Sequence, residues 1–112
     1  MSSTDAAPTE PIRLADPDEF DDRVADGVVL VDFHADWCGP CQMMEPAVEA
    51  VASDTDATVL KVDVDEHQGL AGEYGVQSIP TLLVFADGEL ADRMVGAQTE
   101  DALAGAIEEH TA

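Results

Sequence analysis

The chain has 112 residues, 46% of them hydrophobic, which is the scale of one domain around a single core. Its 25 acidic residues face only 4 Lys and Arg, a formal net charge of -21, so phosphates and anionic headgroups are repelled and nucleic acid and membrane surfaces are excluded as partners. No apolar run approaches the ~20 residues of a membrane helix; the longest are Val28–Val31 and Leu82–Ala86.

Residues 1–11 (MSSTDAAPTEP) are polar with two prolines and read as a disordered tail ahead of one domain over residues 12–112. This tail carries neither positive charge nor an apolar segment, so no secretory signal and a cytoplasmic location are expected. Ile12–Leu14 fits a short edge strand. Asp16 reads as a helix N-cap, with Pro17 at the first helical position and Glu19 three residues after the cap. Phe20 and Val24 share a face of that helix, and Gly27 ends it. Val28–Phe33 (VVLVDF) lacks alternation, the pattern of a central strand covered on both sides. The next helix is expected from about Cys38 to Ser53, with Met44, Val48 and Val51 inward and a kink at Pro46. Thr58–Val64 is a strand, Glu66–Tyr74 a short helix closed by Gly75, and Thr81–Phe85 a third apolar strand. Asp87-Gly88 is a hairpin signal, and Glu89–Val95 returns as its second strand. Thr99 caps a last helix that turns Leu103, Ala106 and Ile107 inward. The order is β-α-β-α-β-α-β-β-α. Its alternating first part predicts parallel pairing through helical crossovers, and the closing hairpin an antiparallel edge.

The acidic excess is dispersed along the chain, and Lys occurs once, at Lys61. One reading is a soluble surface kept apart by charge. The other is adaptation to multimolar salt, where a Debye length of ~3 Å removes most of the mutual repulsion. The near-absence of Lys favours the second, because ordinary soluble domains mix both signs.

The informative stretch is Trp37-Cys38-Gly39-Pro40-Cys41, which follows a core strand and opens a helix. Residues three apart at a helix start lie on one side, close enough for their sulfurs to bond. Free N–H groups and the positive dipole end favour a thiolate on Cys38, the expected nucleophile. Cys41, one turn in and more enclosed, is the expected resolving thiol. Pro40 lacks an N–H where the helix needs none and holds the turn. A purely structural disulfide over so small a loop gains little. Zinc needs two further ligands, and there are no other cysteines while His34, His67 and His110 lack metal spacing, so no metal is expected. Two incidental buried cysteines would leave the strand–turn–helix setting unexplained. Beside a βαβ pattern this spacing is a redox signal.

From about Ile12 to the C-terminus, the segments VVLVDFHADWCGPCQMMEP, KVDVDE, YGVQSIPTLLVFADGE and VGA follow one another in an order that resembles the thioredoxin family, here with a strongly acidic, haloarchaeal-like composition. The resemblance implies an α/β thioredoxin fold, a central mixed sheet of four to five strands flanked by about four helices. It implies a monomeric dithiol–disulfide oxidoreductase that reduces protein disulfides and is re-reduced by a thioredoxin reductase. Ribonucleotide reductase, peroxiredoxin and methionine sulfoxide reductase are the implied kinds of target. No bound cofactor is implied, since the electrons reside on a redox-active Cys38–Cys41 disulfide.

Roles follow position by position. Cys38 resembles the exposed attacking thiol and Cys41 the buried one. Asp32 falls where the family has a buried acid beneath Cys41; burial raises such a pKa and suits it to exchange a proton with Cys41. Lys61 matches a lysine near that acid and reads as its electrostatic partner. Pro80, after Ile79, resembles a cis-proline that positions backbone against an extended substrate. Trp37, Gly39, Pro40, Gly75–Ile79 and Val95–Ala97 form the expected rim, with Gly96 allowing close backbone approach. Two positions depart from the family pattern. His34 stands where Trp is frequent and reads as a passive loop residue, and Gln42 replaces a common Lys or Arg, which disfavours the Cys38 thiolate. Two rivals remain: an oxidase or isomerase of the same fold, and a non-catalytic module that binds partners through Trp37 and Pro80.

Overall fold

The structure is a computed structural model that describes residues 8–111. Residues 1–7 of the expected tail lie outside the described residues. Its strands are β1 (Ile12–Arg13), β2 (Val28–His34), β3 (Thr58–Asp63), β4 (Thr81–Ala86) and β5 (Glu89–Val95). Its helices are α1 (Phe20–Arg23), α2 (Gly39–Asp54), α3 (Gln68–Glu73) and α4 (Glu100–Glu109). The strands form one sheet in the order β1-β3-β2-β4-β5.

The apolar run of β2 is buried because this strand lies in the middle, between β3 and β4. Alternation sends its residues to opposite faces. Val29, Val31 and Phe33 pack with Phe20, Leu60, Val62 and Ala71 on the side of α1 and α3. Leu30 packs with Met44, Val48, Val51, Leu103 and Ile107 on the side of α2 and α4. Asp32, two residues on from Leu30, shares this second face. The inward residues expected of α2 and α4 are all buried. Pro46 lies inside α2, which continues through it to Asp54.

Two expectations change. The β1, β3 and β2 strands are parallel, but β4 runs antiparallel to β2, as β5 does to β4. A strand covered on both faces reads as a continuous apolar run in either direction, so burial hides orientation. The helix expected after Asp16 is instead a 3-10 turn, Pro17–Glu19, followed by the four-residue α1. Asp16 does cap it, accepting the Asp18 N–H at 2.9 Å, but Glu19 reaches forward to Arg23 at 3.8 Å rather than back to the cap. So short a segment makes few α-type bonds, and the tighter turn suffices.

The hairpin closes as expected. Asp87 and Gly88 both take positive φ, +49° and +89°, the mirror-image turn that matches strand twist. Asp87 also clips the start of β2: its carboxylate accepts the Gly27 N–H and its own N–H donates to the Gly27 carbonyl, both at 2.9 Å. Among the described residues no helix is long and apolar enough to cross a membrane.

Candidate active site

The β2–α2 connection builds the site. Cys38 has extended backbone and is the N-cap of α2, with Gly39 and Pro40 opening the helix. Its sulfur accepts the Cys41 N–H at 3.1 Å, one of the groups a helix start leaves free. The two cysteines are disulfide-bonded, with Cα atoms 5.3 Å apart. Cys41 is buried one turn before Met44 on α2; Met44 packs with Leu30, and Cys41 itself with Ala35 and Cys38.

The expected contrast in exposure is absent. Cys38 and Cys41 are each only 3% exposed. The Cys38 sulfur lies 3.8 Å from the Ile79 carbonyl oxygen, within a cluster that includes Ala35, Val64 and Ile79. The cysteines therefore differ in place along the helix, Cys38 holding the capping position, and not in burial.

Facing the cysteines, the Ile79–Pro80 bond is cis. The Pro80 carbonyl accepts the Gly96 N–H at 2.8 Å, which ties the start of β4 to the end of β5. Gly96 has φ +93°, a conformation that strains any residue with a β-carbon. Trp37 stands 70% exposed beside the cysteine turn, and its indole N–H donates to Asp65 at 2.8 Å. Nothing in the sequence marks Asp65 for this role; its place in KVDVDE carries no signal that it reaches Trp37. Trp37, Val64, Val76 and Gln77–Ile79 line an apolar groove of about 360 Å³. Of the residues expected in the rim, Trp37 and Val76–Ile79 line this groove.

Asp32 is 1% exposed in the interior of β2, and its Oδ1 has no hydrogen-bond partner. Burial pushes its pKa up to about 6; Lys61 opposes the shift and Glu45 adds to it. Lys61 is the register neighbour of Asp32 on β3, but its ion pair is with Glu45, at 3.5 Å. The partnership expected of Lys61 is therefore divided between two carboxylates. The sequence does not single out Glu45, one of 10 glutamates, on a helix whose inward stripe it does not join.

His34 is not a loop residue. It ends β2, is 5% exposed, and its Nε2 lacks a partner. Burial lowers its pKa, with the Lys61 charge acting in the same direction. Gln42 donates to the Asp36 carbonyl at 2.6 Å and so braces the loop before Cys38. Among the described residues one group of metal-type ligands converges: Asp92, Glu109 and His110 offer atoms within 4.8 Å of one another. It contains neither cysteine.

A family model described as Thioredoxin matches residues 11–109. The chain belongs to the thioredoxin family. It is 53% identical over 93 residues to the thioredoxin of Staphylococcus saprophyticus, covering 81% of this chain and 89% of that one. It superimposes on a single-site mutant thioredoxin from Halobacterium salinarum with TM-score 0.91, 55% identity and 96% of each chain covered. A thioredoxin from Nicotiana alata matches with TM-score 0.83 and 36% identity over 100% of both chains. With thioredoxin-family membership and a cysteine pair able to close, the protein is a thiol–disulfide oxidoreductase and a protein-disulfide reductase. Family membership implies disulfide-bearing protein substrates and a reductase that reloads it.

Proposed function

We propose that this thioredoxin-family protein is a cytoplasmic, monomeric electron carrier built for concentrated salt, with residues 12–112 as its working domain. A thioredoxin reductase reloads it, and it needs no bound cofactor because two sulfurs carry the electrons. Ribonucleotide reductase, peroxiredoxin and methionine sulfoxide reductase are the kinds of target that the family likeness supports. The observation that carries the reading is the Cys38 sulfur seated as the cap of α2, where the Cys41 N–H points at it.

In the reduced protein that N–H and the helix dipole stabilise negative charge on Cys38. The Cys38 thiolate attacks one sulfur of a target disulfide and the other leaves as a thiolate. Cys41 then gives its proton to the Asp32 carboxylate and displaces the remaining target sulfur from Cys38. Two electrons pass to the target, and the Cys38–Cys41 bond closes. Asp32 suits the task because an acid with a pKa near 6 is a far better base than an exposed aspartate, yet still ionised near pH 7. Trp37, Gly39, Pro40, Ile79, Pro80 and Gly96 form the surface against which an extended target segment lies, its side chains entering the apolar groove.

The salt reading is supported by how the cations are spent. All 4 basic side chains are engaged: Arg13 with Asp63 and Glu66, Arg23 with Glu19, Lys61 with Glu45, and Arg93 with the Tyr74 carbonyl. Three of the four therefore sit on carboxylates and Arg93 on a carbonyl, and against 25 acidic residues they leave a formal net charge of -21 that solvent ions must offset. The melting temperature is expected to rise by on the order of 10 °C from low salt to multimolar KCl, with insulin-disulfide reduction retained at the higher salt. Equal melting temperatures in the two conditions would contradict the salt reading, and loss of reduction in KCl would contradict the functional one.

A further inference from the structure

Asp32 lies where very few charges can reach it. From β3 it is faced by Lys61 and from α2 by Glu45. Its register neighbour on β4 is Leu82, and the inward residues of α4 are Leu103, Ala106 and Ile107, all uncharged. Among the described residues, one cation and one anion therefore govern the state of this buried acid. The cation is the only Lys in the chain. Its ammonium lies 3.5 Å from the Glu45 carboxylate, with side chains 20% and 47% exposed, while Asp32 Oδ1 is left without a partner.

That arrangement is informative because the alternative is available. Lys61 and Asp32 sit opposite each other on adjacent strands. A long, flexible lysine could fold inward onto an unpartnered carboxylate, where low dielectric makes the attraction strong. Direct pairing would hold Asp32 ionised and make it a weaker base. Glu45 offers the ammonium a half-exposed partner instead, with less desolvation.

We propose that Glu45 is a positioning residue for disulfide release: from the surface of α2 it draws the Lys61 ammonium away from Asp32 and so preserves Asp32 as a proton acceptor for Cys41. The inference rests on the proton-acceptor reading of Asp32 given above. Glu45 touches neither cysteine nor target; it acts through Lys61.

The test follows the titration of the Asp32 carboxyl carbon by isotope-edited NMR in the full oxidised chain. Wild type is compared with Glu45→Gln, Glu45→Asp, Lys61→Met and the Glu45→Gln/Lys61→Met pair. Glu45 is half-exposed on a helix surface, so its variants are expected to fold. Glu45→Gln is expected to lower the Asp32 midpoint by about half a unit, and Glu45→Asp to restore most of the difference. In the Lys61→Met background the same Gln substitution is expected to move the midpoint less than half as far, since the lysine it would release is gone. In the reduced protein, the acid limb of the pH profile for discharging a mixed disulfide is expected to move down with the midpoint.

An unchanged midpoint in Glu45→Gln overturns the proposal. So does an equal shift with and without Lys61, which would mean that Glu45 acts by its own charge alone. Asp32→Asn reports separately on the underlying reading. If that variant discharges mixed disulfides at the wild-type rate, Asp32 is not the acceptor and the functional half of the proposal falls. The titration still decides whether Glu45 holds Lys61.

Discussion

Cys38→Ser is expected to reduce insulin disulfides about 10³-fold more slowly than wild type, or at background. The substitution is unusually clean. Serine is among the best N-cap residues, so the hydroxyl oxygen takes over the Cys41 N–H that the sulfur accepts at 3.1 Å, and the start of α2 is kept. What disappears is a polarisable thiolate able to attack sulfur at neutral pH. The circular dichroism spectrum is expected to stay that of the wild type while the rate collapses. A variant that keeps both would show that reduction does not pass through Cys38 and would revive the non-catalytic binding module.

Asp32→Asn is expected to move stability and rate in opposite directions. The folded-state pKa of Asp32, about 6, lies above the ordinary aspartate value of 3.8. Between those values the native state binds more protons than the unfolded chain, so stability falls as pH rises through this window and is flat above it. The difference of roughly 2 units corresponds to about 3 kcal/mol at most at pH 7. Asparagine has no charge to bury, so the variant is expected to be the more stable protein at pH 7 by up to that amount, with the advantage vanishing near pH 4. Denaturant midpoints across pH measure this directly. Over the same range the discharge of mixed disulfides is expected to slow by about 10²-fold, because an amide accepts no proton from Cys41. A variant destabilised at every pH would mean that Asp32 is a structural hydrogen-bonding group and not a strained base.

Most of the fold is legible in the chain because local chemistry and tertiary structure agree in it. Thr99 announces α4 and then accepts the Ala102 N–H at 3.1 Å. Asp87-Gly88 announces a hairpin whose two positive φ values those residues tolerate. The cysteine turn and the buried acid are each marked by residue types that would be out of place in ordinary packing, whereas a cis bond at Pro80 is implied only by the family resemblance, since a proline at a strand start is ordinary. Direction is not legible in β4, because Thr81–Phe85 is apolar on both faces whichever way it runs. Nor is the exposure of Cys38, which depends on Ile79, 41 positions away. The charges beside Asp32 are legible only in part: Lys61 stands out through rarity, whereas Glu45 is hidden among many acids that do nothing but face water. The link from Trp37 to Asp65 likewise joins residues 28 positions apart and leaves no local trace.

The most direct measurement uses the reduced Cys41→Ser protein with a disulfide-bonded target, followed by intact-mass analysis and peptide mapping. Without its resolving thiol, the protein should stop half-way, covalently joined to the target through Cys38, while Cys38→Ser forms no adduct. An adduct carried on Cys41 in the Cys38→Ser protein at the wild-type rate, or none in either variant, would contradict the assignment of the helix-capping sulfur as the nucleophile.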